Sequence, residues 1–222
     1  MLSLILTTKG RGEQASLCIE RYYETVKDFP CELIVVAYPD EGNKKYLGKF
    51  PPFLHTHLEW SEERSTPCYN IGASLCNGNE IFIFDDDSWP DDDWLYKVYE
   101  EINKNGDGHY MIQSDGSRLG NGYWAERAVS TRQFCIDHLG GVVAIPSYKS
   151  QYDDVEKTDR AMMAGKFFYT SAYIEHRHPA YGKAQIDETY KDGYLGTYGV
   201  DTVTYNKRKA EGFPNDYPAV LK

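Results

Sequence analysis

The run Ile81-Phe82-Ile83-Phe84-Asp85-Asp86-Asp87 constrains this chain more than any other segment. Its apolar, β-branched and aromatic residues read as a buried strand, parallel to its neighbours. The strand stops at three carboxylates, which then stand at the carboxyl edge of a sheet, where open α/β folds take ligands. Adjacent carboxylates repel one another unless a cation or solvent relieves them. Asp85 and Asp87 reach toward one divalent ion of the kind that also holds a diphosphate. The pattern points to chemistry on a nucleotide-activated substrate. With 34 acidic residues among 222, an Asp-x-Asp also arises by chance, and Asp91-Asp92-Asp93 is a second one. That cluster follows Pro90 and precedes Trp94, Leu95, Val98 and Ile102 at helical spacing. Pro at the first helical position and acids in the first turn suit a helix start, so these three acids are read as structural. An EF-hand is disfavoured, because Trp89, Pro90 and Tyr96 fall where its loop needs ligands, a turn glycine and a terminal Glu.

The segments before that strand alternate. Residues 2–8 read as a strand, Ala15, Cys18, Ile19, Tyr22 and Val26 have helical spacing, and residues 31–37 read as a second strand. Residues 38–42 break it, a short helix covers 43–49, residues 56–59 form a third strand, and a helix starts at Thr66-Pro67 and ends near Asn77-Gly78. This β-α-β-α order implies a largely parallel sheet with right-handed crossovers. Further on, residues 109–113 read as a strand and 115–122 as a glycine-rich loop. Residues 140–146 read as a turn and then a strand, 153–165 as a helix, and 166–173 as a strand. From Pro179 the chain is rich in Tyr and Gly, then basic at Lys207-Arg208-Lys209.

The bulk numbers narrow the class. A chain of 222 residues with 41% hydrophobic content is one globular domain, with room for a small extension. A net charge of −10 argues against a non-specific nucleic-acid binder. The N-terminus carries no basic leader, and no run approaches the ~18 apolar residues of a membrane span. Five cysteines without zinc-like pairing read as reduced core thiols of a cytoplasmic protein, in a bacterial or phage-infected cell.

Taken in order, these motifs resemble the GT-A glycosyltransferases, above all the large inverting family two, over residues 2–179. Leu4-Ile5-Leu6-Thr7-Thr8-Lys9-Gly10-Arg11 resembles the family's first strand and nucleotide-holding turn, and Ile34-Val35-Val36 its second strand. Arg64 and Asn70-Ile71-Gly72 resemble the helix before the metal strand. Residues 81–87 with Pro90 and Trp94 resemble the apolar strand and its Asp-x-Asp. Asp153-Asp154 stand about eleven residues before Ala164-Gly165 with Arg160 between, as in the family's acidic pair. A strand then leads to Glu175-His176-Arg177-His178-Pro179, where the family places a metal-binding His. Two positions depart from the pattern. Ala37 and Tyr38 stand where many members carry a base-binding Asp, with Asp40 slightly later. Tyr148, Gln151 and Tyr152 stand where many carry an acceptor-site Trp.

The resemblance implies a single α/β domain with a GT-A type, Rossmann-like mixed, mostly parallel sheet flanked by helices. Residues 1–179 would form the transferase domain, 1–100 its nucleotide-binding half and 101–179 its acceptor half, with 180–222 an extension packed on the same domain. It implies transfer of a sugar from a nucleoside-diphosphate donor, a UDP-sugar first, to an acceptor hydroxyl, with inversion. The metal site would be Asp87 and Asp85 with His176 or His178. Manganese is favoured over magnesium because imidazole suits softer ions. Thr7, Thr8, Lys9, Arg11, Asp40, Arg64, Asn70, Asp85 and Asp86 are the donor-binding candidates. Asp154, and second Asp153, is the general base, although Asp is also common at helix N-termini. Asp159 on the same predicted helix could pair with a base. Tyr123, Trp124 and the Tyr-rich tail are candidate acceptor contacts. The acceptor is a saccharide, a protein or a modified DNA base. The last is kept by a tail that resembles small phage-encoded transferases (residues 177–182, Asp201 and 207–209).

Three other readings compete. A haloacid-dehalogenase-like phosphatase shares the Phe84-Asp85-Asp86-Asp87-Ser88 turn, but on its first strand. A nucleotidyltransferase shares the sheet but needs a Gly-rich basic loop, faintly echoed by Lys9-Gly10-Arg11-Gly12. A sugar-nucleotide-binding module without catalysis would not need Asp85, Asp87, Asp154 and His176 together.

Overall fold

The computed structural model describes residues 1–63, 65–117, 124–191 and 196–222. Its first strands are β1 (Leu2–Thr8), β2 (Cys31–Ala37), β3 (His55–Trp60) and β4 (Glu80–Asp85), joined by α1 (Gly12–Val26), α2 (Glu41–Tyr46) and α3 (Ser65–Leu75). β1 pairs in parallel with both β2 and β4, and β2 with β3. After β5 (Ser88–Pro90) and α4 (Trp94–Asn105) come β6 (His109–Gln113), β7 (Arg127–Thr131), α5 (Arg132–His138), α6 (Asp153–Met163) and β8 (Phe167–His176). A short α7 (Glu188–Tyr190) and a long α8 (Gly196–Ala210) follow. The strand order is β3-β2-β1-β4-β7-β6-β8-β5. β7 runs antiparallel to both β4 and β6, β8 is parallel to β6, and β5 is antiparallel to β8. All strands but β7 and β5 therefore point the same way, and their carboxyl ends share one edge.

Period-two alternation explains why β1, β2 and β4 read as continuous apolar runs. Leu2, Leu4, Leu6, Leu33, Val35, Phe82 and Phe84 face one core with α1 and α4, where Tyr22 packs 4.2 Å from Phe84 and edge-on to Trp94. Ile5, Ile34, Val36 and Ile81 face the other core with α3, α5 and α6. Both faces are covered, so neither carries polar positions that would expose the alternation. α3 lies so close that a Cβ on Gly72 would collide with Ile5, which only glycine avoids. The one polar pair inside these strands is Ser3 with Glu32. The Glu32 carboxylate accepts from Ser3 Oγ at 2.6 Å and from Gly78 N at 3.0 Å, tying down the chain after α3.

Several elements differ from the sequence reading. Residues 142–145 are buried but form no strand; their amides bond to side chains of α3 and α6, Val143 and Ala144 N–H to Asn70 Oδ1 and Ile145 N–H to Asp153. Pro90 closes β5 rather than opening α4, which starts at Trp94. Asp91–93 do stay clear of the site: Asp92 pairs with Arg21 at 2.8 Å and Asp93 with Lys97 at 2.7 Å. β5, β7, α5, α7 and α8 have no counterpart in the sequence reading. The C-terminal residues pack back on the domain, with Leu221 inside the second core and the Val220 and Leu221 amides donating to Gly141.

Candidate active site

The carboxyl edge opens into a cleft of about 1040 Å³. β4 delivers Asp85 to its rim, and Asp86 and Asp87 form the turn into β5. β5 then pairs with the end of β8, setting Ser88 opposite His176, and Arg177 N–H donates to the Asp87 carbonyl at 2.8 Å. This pairing carries His176 and His178 to the Asp turn. Asp87, His176 and His178 each offer a ligand atom, all within 4.8 Å of one another.

The group at the turn is strongly charged. Asp87 is 4% exposed. Its Oδ1 lies 3.2 Å from His176 Nε2 without the alignment of a hydrogen bond, and has no hydrogen-bond partner. Burial would raise the Asp87 carboxyl, but the close His176 ring and the charge of Arg127 hold it below its ordinary value. Burial and Asp87 push the buried Asp86 carboxyl upward, against Arg11 and the Thr8 hydroxyl. Burial and Arg127 oppose charge on His176, yet Asp87 and Glu126 lift it to about 9. His178 is pushed down by burial and by His176. A buried oxygen without a hydrogen-bond partner and two imidazoles are a donor set that can hold a divalent ion, and the nitrogen ligands suit manganese better than magnesium. An ion at His176 Nε2 would stand where the imidazolium proton stands otherwise.

Arg127 is the hub that the sequence reading missed. Its guanidinium donates to Ser88 Oγ at 2.9 Å, to the Glu126 carbonyl at 3.0 Å and to Asp85 Oδ2 at 3.1 Å, and lies 3.8 Å from Asp87. Burial opposes its charge, but Asp85, Glu126 and Asp87 keep it protonated. Asp85 Oδ1 also accepts from the Tyr69 hydroxyl. Arg127 reaches the carboxyl edge because β7 runs against its neighbours, so its first residue stands where their last ones do. Arg127-Ala128-Val129-Ser130-Thr131 shows no polar–apolar alternation and is almost wholly buried, so only the β-branched Val129 and Thr131 hint at a strand.

On the donor side, Thr7, Thr8, Lys9 and Arg11 line the cleft with Tyr38 and Tyr69. Thr8 Oγ donates to Asp86 at 2.6 Å. Arg11 donates to Asp86 at 3.2 Å and, in bidentate fashion, to Asp187 at 2.7 and 2.8 Å, so its charge is already engaged. Asp40 and Asn70 are not in the cleft wall. Asp40 accepts from Gly10 N and Asn43 N, capping α2, and Asn70 bonds the backbone of residues 143–144. Arg64 and Tyr123 lie outside the described residues.

On the opposite side, α6 starts with the acidic pair. Asp153 accepts from Ile145 N at 2.6 Å and pairs with Lys157 at 2.7 Å. The Asp154 carboxylate accepts from the next residue's N–H, Val155, at 2.9 Å, and both acids line the cleft. Burial, then Asp153 and Glu126, push the Asp154 carboxyl up to about 6. Tyr152 precedes them at φ 70°, a conformation rare for a non-glycine residue. Its ring stacks on Tyr205 of α8, and the buried Asp201 of α8 accepts from Lys149, Ser150 and Gln151 N–H at 3.0, 2.9 and 2.8 Å. α8 thus holds the loop that aims the acidic pair. Of the basic triplet, Arg208 is buried on Glu156 and Asp216, and Lys209 pairs with Asp159, leaving Asp159 engaged as well. Trp124, Tyr152, Tyr198 and Tyr205 also line the cleft, and Tyr181 and Tyr190 line it beside His176 and His178.

A mixed, mostly parallel sheet with an acid-bearing turn at the carboxyl edge and a cleft along it defines the GT-A glycosyltransferase fold. The chain belongs to glycosyl transferase family 2, whose pattern matches residues 3–178. No curated protein matches it. Among solved structures it is similar to a mannosyltransferase, PcManGT from Pyrobaculum calidifontis, in complex with GDP-Man and Mn2+: 15% identity, TM-score 0.63, covering 94% of this chain and 75% of that one. It is also similar to S. aureus TarS (14% identity, TM-score 0.60, covering 86% of this chain) and to TarS 1–349 in complex with UDP-GlcNAc (12% identity, TM-score 0.60, covering 83%). The match spans 41% of the TarS chain and 61% of the 1–349 form. Among the described residues no helix is long and apolar enough to cross a membrane.

Proposed function

We propose that this glycosyltransferase moves a sugar from a nucleoside-diphosphate donor, a UDP-sugar first, onto an acceptor hydroxyl with inversion, in a divalent-cation-dependent reaction. The observation that carries this reading is one cleft with two unlike carboxylate groups. Asp87 is held ionised beside His176 and His178, whereas Asp154 is raised to about 6 across from it. Environments that push carboxyls apart in acidity divide roles between charge stabilisation and proton transfer.

In this reading Asp87, His176 and His178 hold the cation, manganese before magnesium, with Asp85 turned toward the sugar or ribose. The cation supplies neutralisation of the leaving diphosphate. Among the described residues, the carboxylates of Asp85, Asp86, Asp87, Glu126 and Asp187 meet the guanidiniums of Arg11 and Arg127 and the ring of His176, so the acids outnumber the cations and an anionic donor docks better with further positive charge. Thr7, Thr8 and Lys9 line the donor's approach, and Tyr38 and Tyr69 offer ring faces for the base. Asp154 takes the acceptor hydroxyl proton as the oxygen attacks the anomeric carbon from the face opposite the leaving diphosphate. Asp153 is held by Ile145 and Lys157, which leaves Asp154 the better base. Residues 1–100 supply the donor side, 101–179 the base together with Glu126, Arg127 and the histidines, and 180–222 the wall of Tyr190, Tyr198 and Tyr205. Five free, buried cysteines support a reducing, cytoplasmic setting.

Calorimetric titration of UDP, GDP and their sugar conjugates, with and without Mn2+, tests the reading. Metal-dependent binding that disappears in Asp87→Ala supports it and identifies the base of the donor. Equal binding with and without the metal, or equal affinity in Asp87→Ala, overturns the metal role.

A further inference from the structure

Glu126 stands one residue before β7 and its side chain has only 12% of its surface exposed. Each of its oxygens takes two hydrogen bonds. Oε1 accepts from His176 Nδ1 at 2.9 Å and from the Tyr181 hydroxyl at 2.9 Å. Oε2 accepts from the Ser114 hydroxyl at 2.5 Å and from Gly116 N at 3.1 Å. Gly116 fits only because it lacks a side chain, since a Cβ there would overlap the Glu126 carboxylate and the Tyr181 hydroxyl. The Gly116 N–H can only donate and the Ser114 and Tyr181 hydroxyls point at the same carboxylate, so Glu126 is met by donors on both oxygens and the His176 nitrogen that faces it is the N–H.

We propose that Glu126 is a positioning residue of the metal site, fixing the His176 ring with Nδ1–H turned away and Nε2 turned to the cation. The inference rests on the metal reading of Asp87, His176 and His178. A second contact agrees with this orientation. Arg127 Nη2 lies 3.3 Å from His176 Nε2, on the side of the ring that also faces Asp87. A ring turned over would place a carbon against Glu126 and leave that buried carboxylate one partner short. Carboxylates that hold the far nitrogen of a metal-binding histidine fix its tautomer and raise its basicity, and losing one costs about 10–100-fold in metal affinity.

The test is Mn2+ binding to the whole chain by calorimetry, with no nucleotide present, and it separates the two ideas. Wild-type protein that binds no Mn2+ overturns the metal site and this inference with it. Wild-type binding with unchanged affinity in a folded Glu126→Ala overturns only the role of Glu126. The expected result is about a 10–100-fold loss in Glu126→Ala, with most of the affinity recovered in Glu126→Gln, whose amide oxygen still accepts from Nδ1–H. Gly116→Ala displaces the carboxylate without touching a ligand and is expected to lose affinity as Glu126→Ala does. Should Glu126→Ala not fold, 15N-histidine spectra of Glu126→Gln and wild type with Mg2+ decide. A protonated Nδ1 with Nε2 shifted by the ion supports the orientation, and an ion-shifted Nδ1 overturns it.

Discussion

Asp154→Asn separates activity from stability in opposite directions. Burial and the charges of Asp153 and Glu126 raise the Asp154 carboxyl from its ordinary 3.8 to about 6. At about 1.4 kcal/mol for each tenfold change in acidity, the ionised form costs the folded protein at most about 3 kcal/mol. The cost is smaller than that bound because the side chain faces the water of the cleft. The sign follows from the raised value. Below about pH 4 the group is protonated folded and unfolded, and no penalty exists. The penalty grows as pH rises from about 4 to about 6 and is complete above that. Asparagine never ionises, so Asp154→Asn should melt higher than wild type at pH 8, and the two should converge at pH 4. On the proposed mechanism the same substitution removes the proton acceptor, for an expected loss of about 10²–10⁴-fold in turnover. In the wild type, kcat/KM should fall tenfold for each pH unit below about 6, a limb absent from the residual activity of the variant. Sugar transfer measured over pH 5–9, beside melting curves at pH 4 and 8, checks both halves. Turnover within about tenfold of wild type, or a variant that melts lower at pH 8, would refute the reasoning.

Arg127→Met leaves Asp85 and Asp87 without their shared buried cation. Breaking such a pair costs about 3–5 kcal/mol, with the lower end expected because Asp85 is 40% exposed. Added Mn2+ should restore more stability to this variant than to wild type, a difference read from melts with Mn2+ and with EDTA. Asp201→Ala strips three backbone amides at residues 149–151 of their acceptor. Leaving such groups unmet costs about 1–3 kcal/mol each where buried. Acceptor KM should rise more than donor KM, measured by varying each substrate, because the loop that α8 holds carries Tyr152 and leads into Asp154.

The donor half was legible because its signals are local. β1, β2 and β4 are apolar runs buried on both faces, and α1 and α3 carry their own spacing and stops. Asp85, Asp86 and Asp87 announced themselves by ending such a run. The cleft positions of Asp154 and His176 were legible, the first through its spacing to Ala164-Gly165 and the second through its distance from the strand before it. The 142–145 run misled because buried apolar residues look alike in a strand and in a loop whose amides bond to Asn70 and Asp153. Arg127 and Glu126 were missed because β7 is short and its direction is set by its partners β4 and β6. Asp40 and Asn70 looked like ligand-binding side chains, but a polar side chain meets a backbone amide as readily as a substrate, and sequence does not distinguish the two.

The sequence by itself determined the parallel half of the sheet, the strand that ends in carboxylates and the family to which the chain belongs. These follow from periodicities and spacings within a few dozen residues, where the local backbone dictates which side chains share a face. Only the tertiary structure decided which acids are shared and which are spent. β5 pairing with β8 brought Asp87 to His176 and His178, the reversed β7 brought Arg127 and Glu126 to the same edge, and α8 clasped the loop before Asp154. Those outcomes depend on contacts between segments remote in sequence. The charge and proton of each group follow from what that packing places beside it.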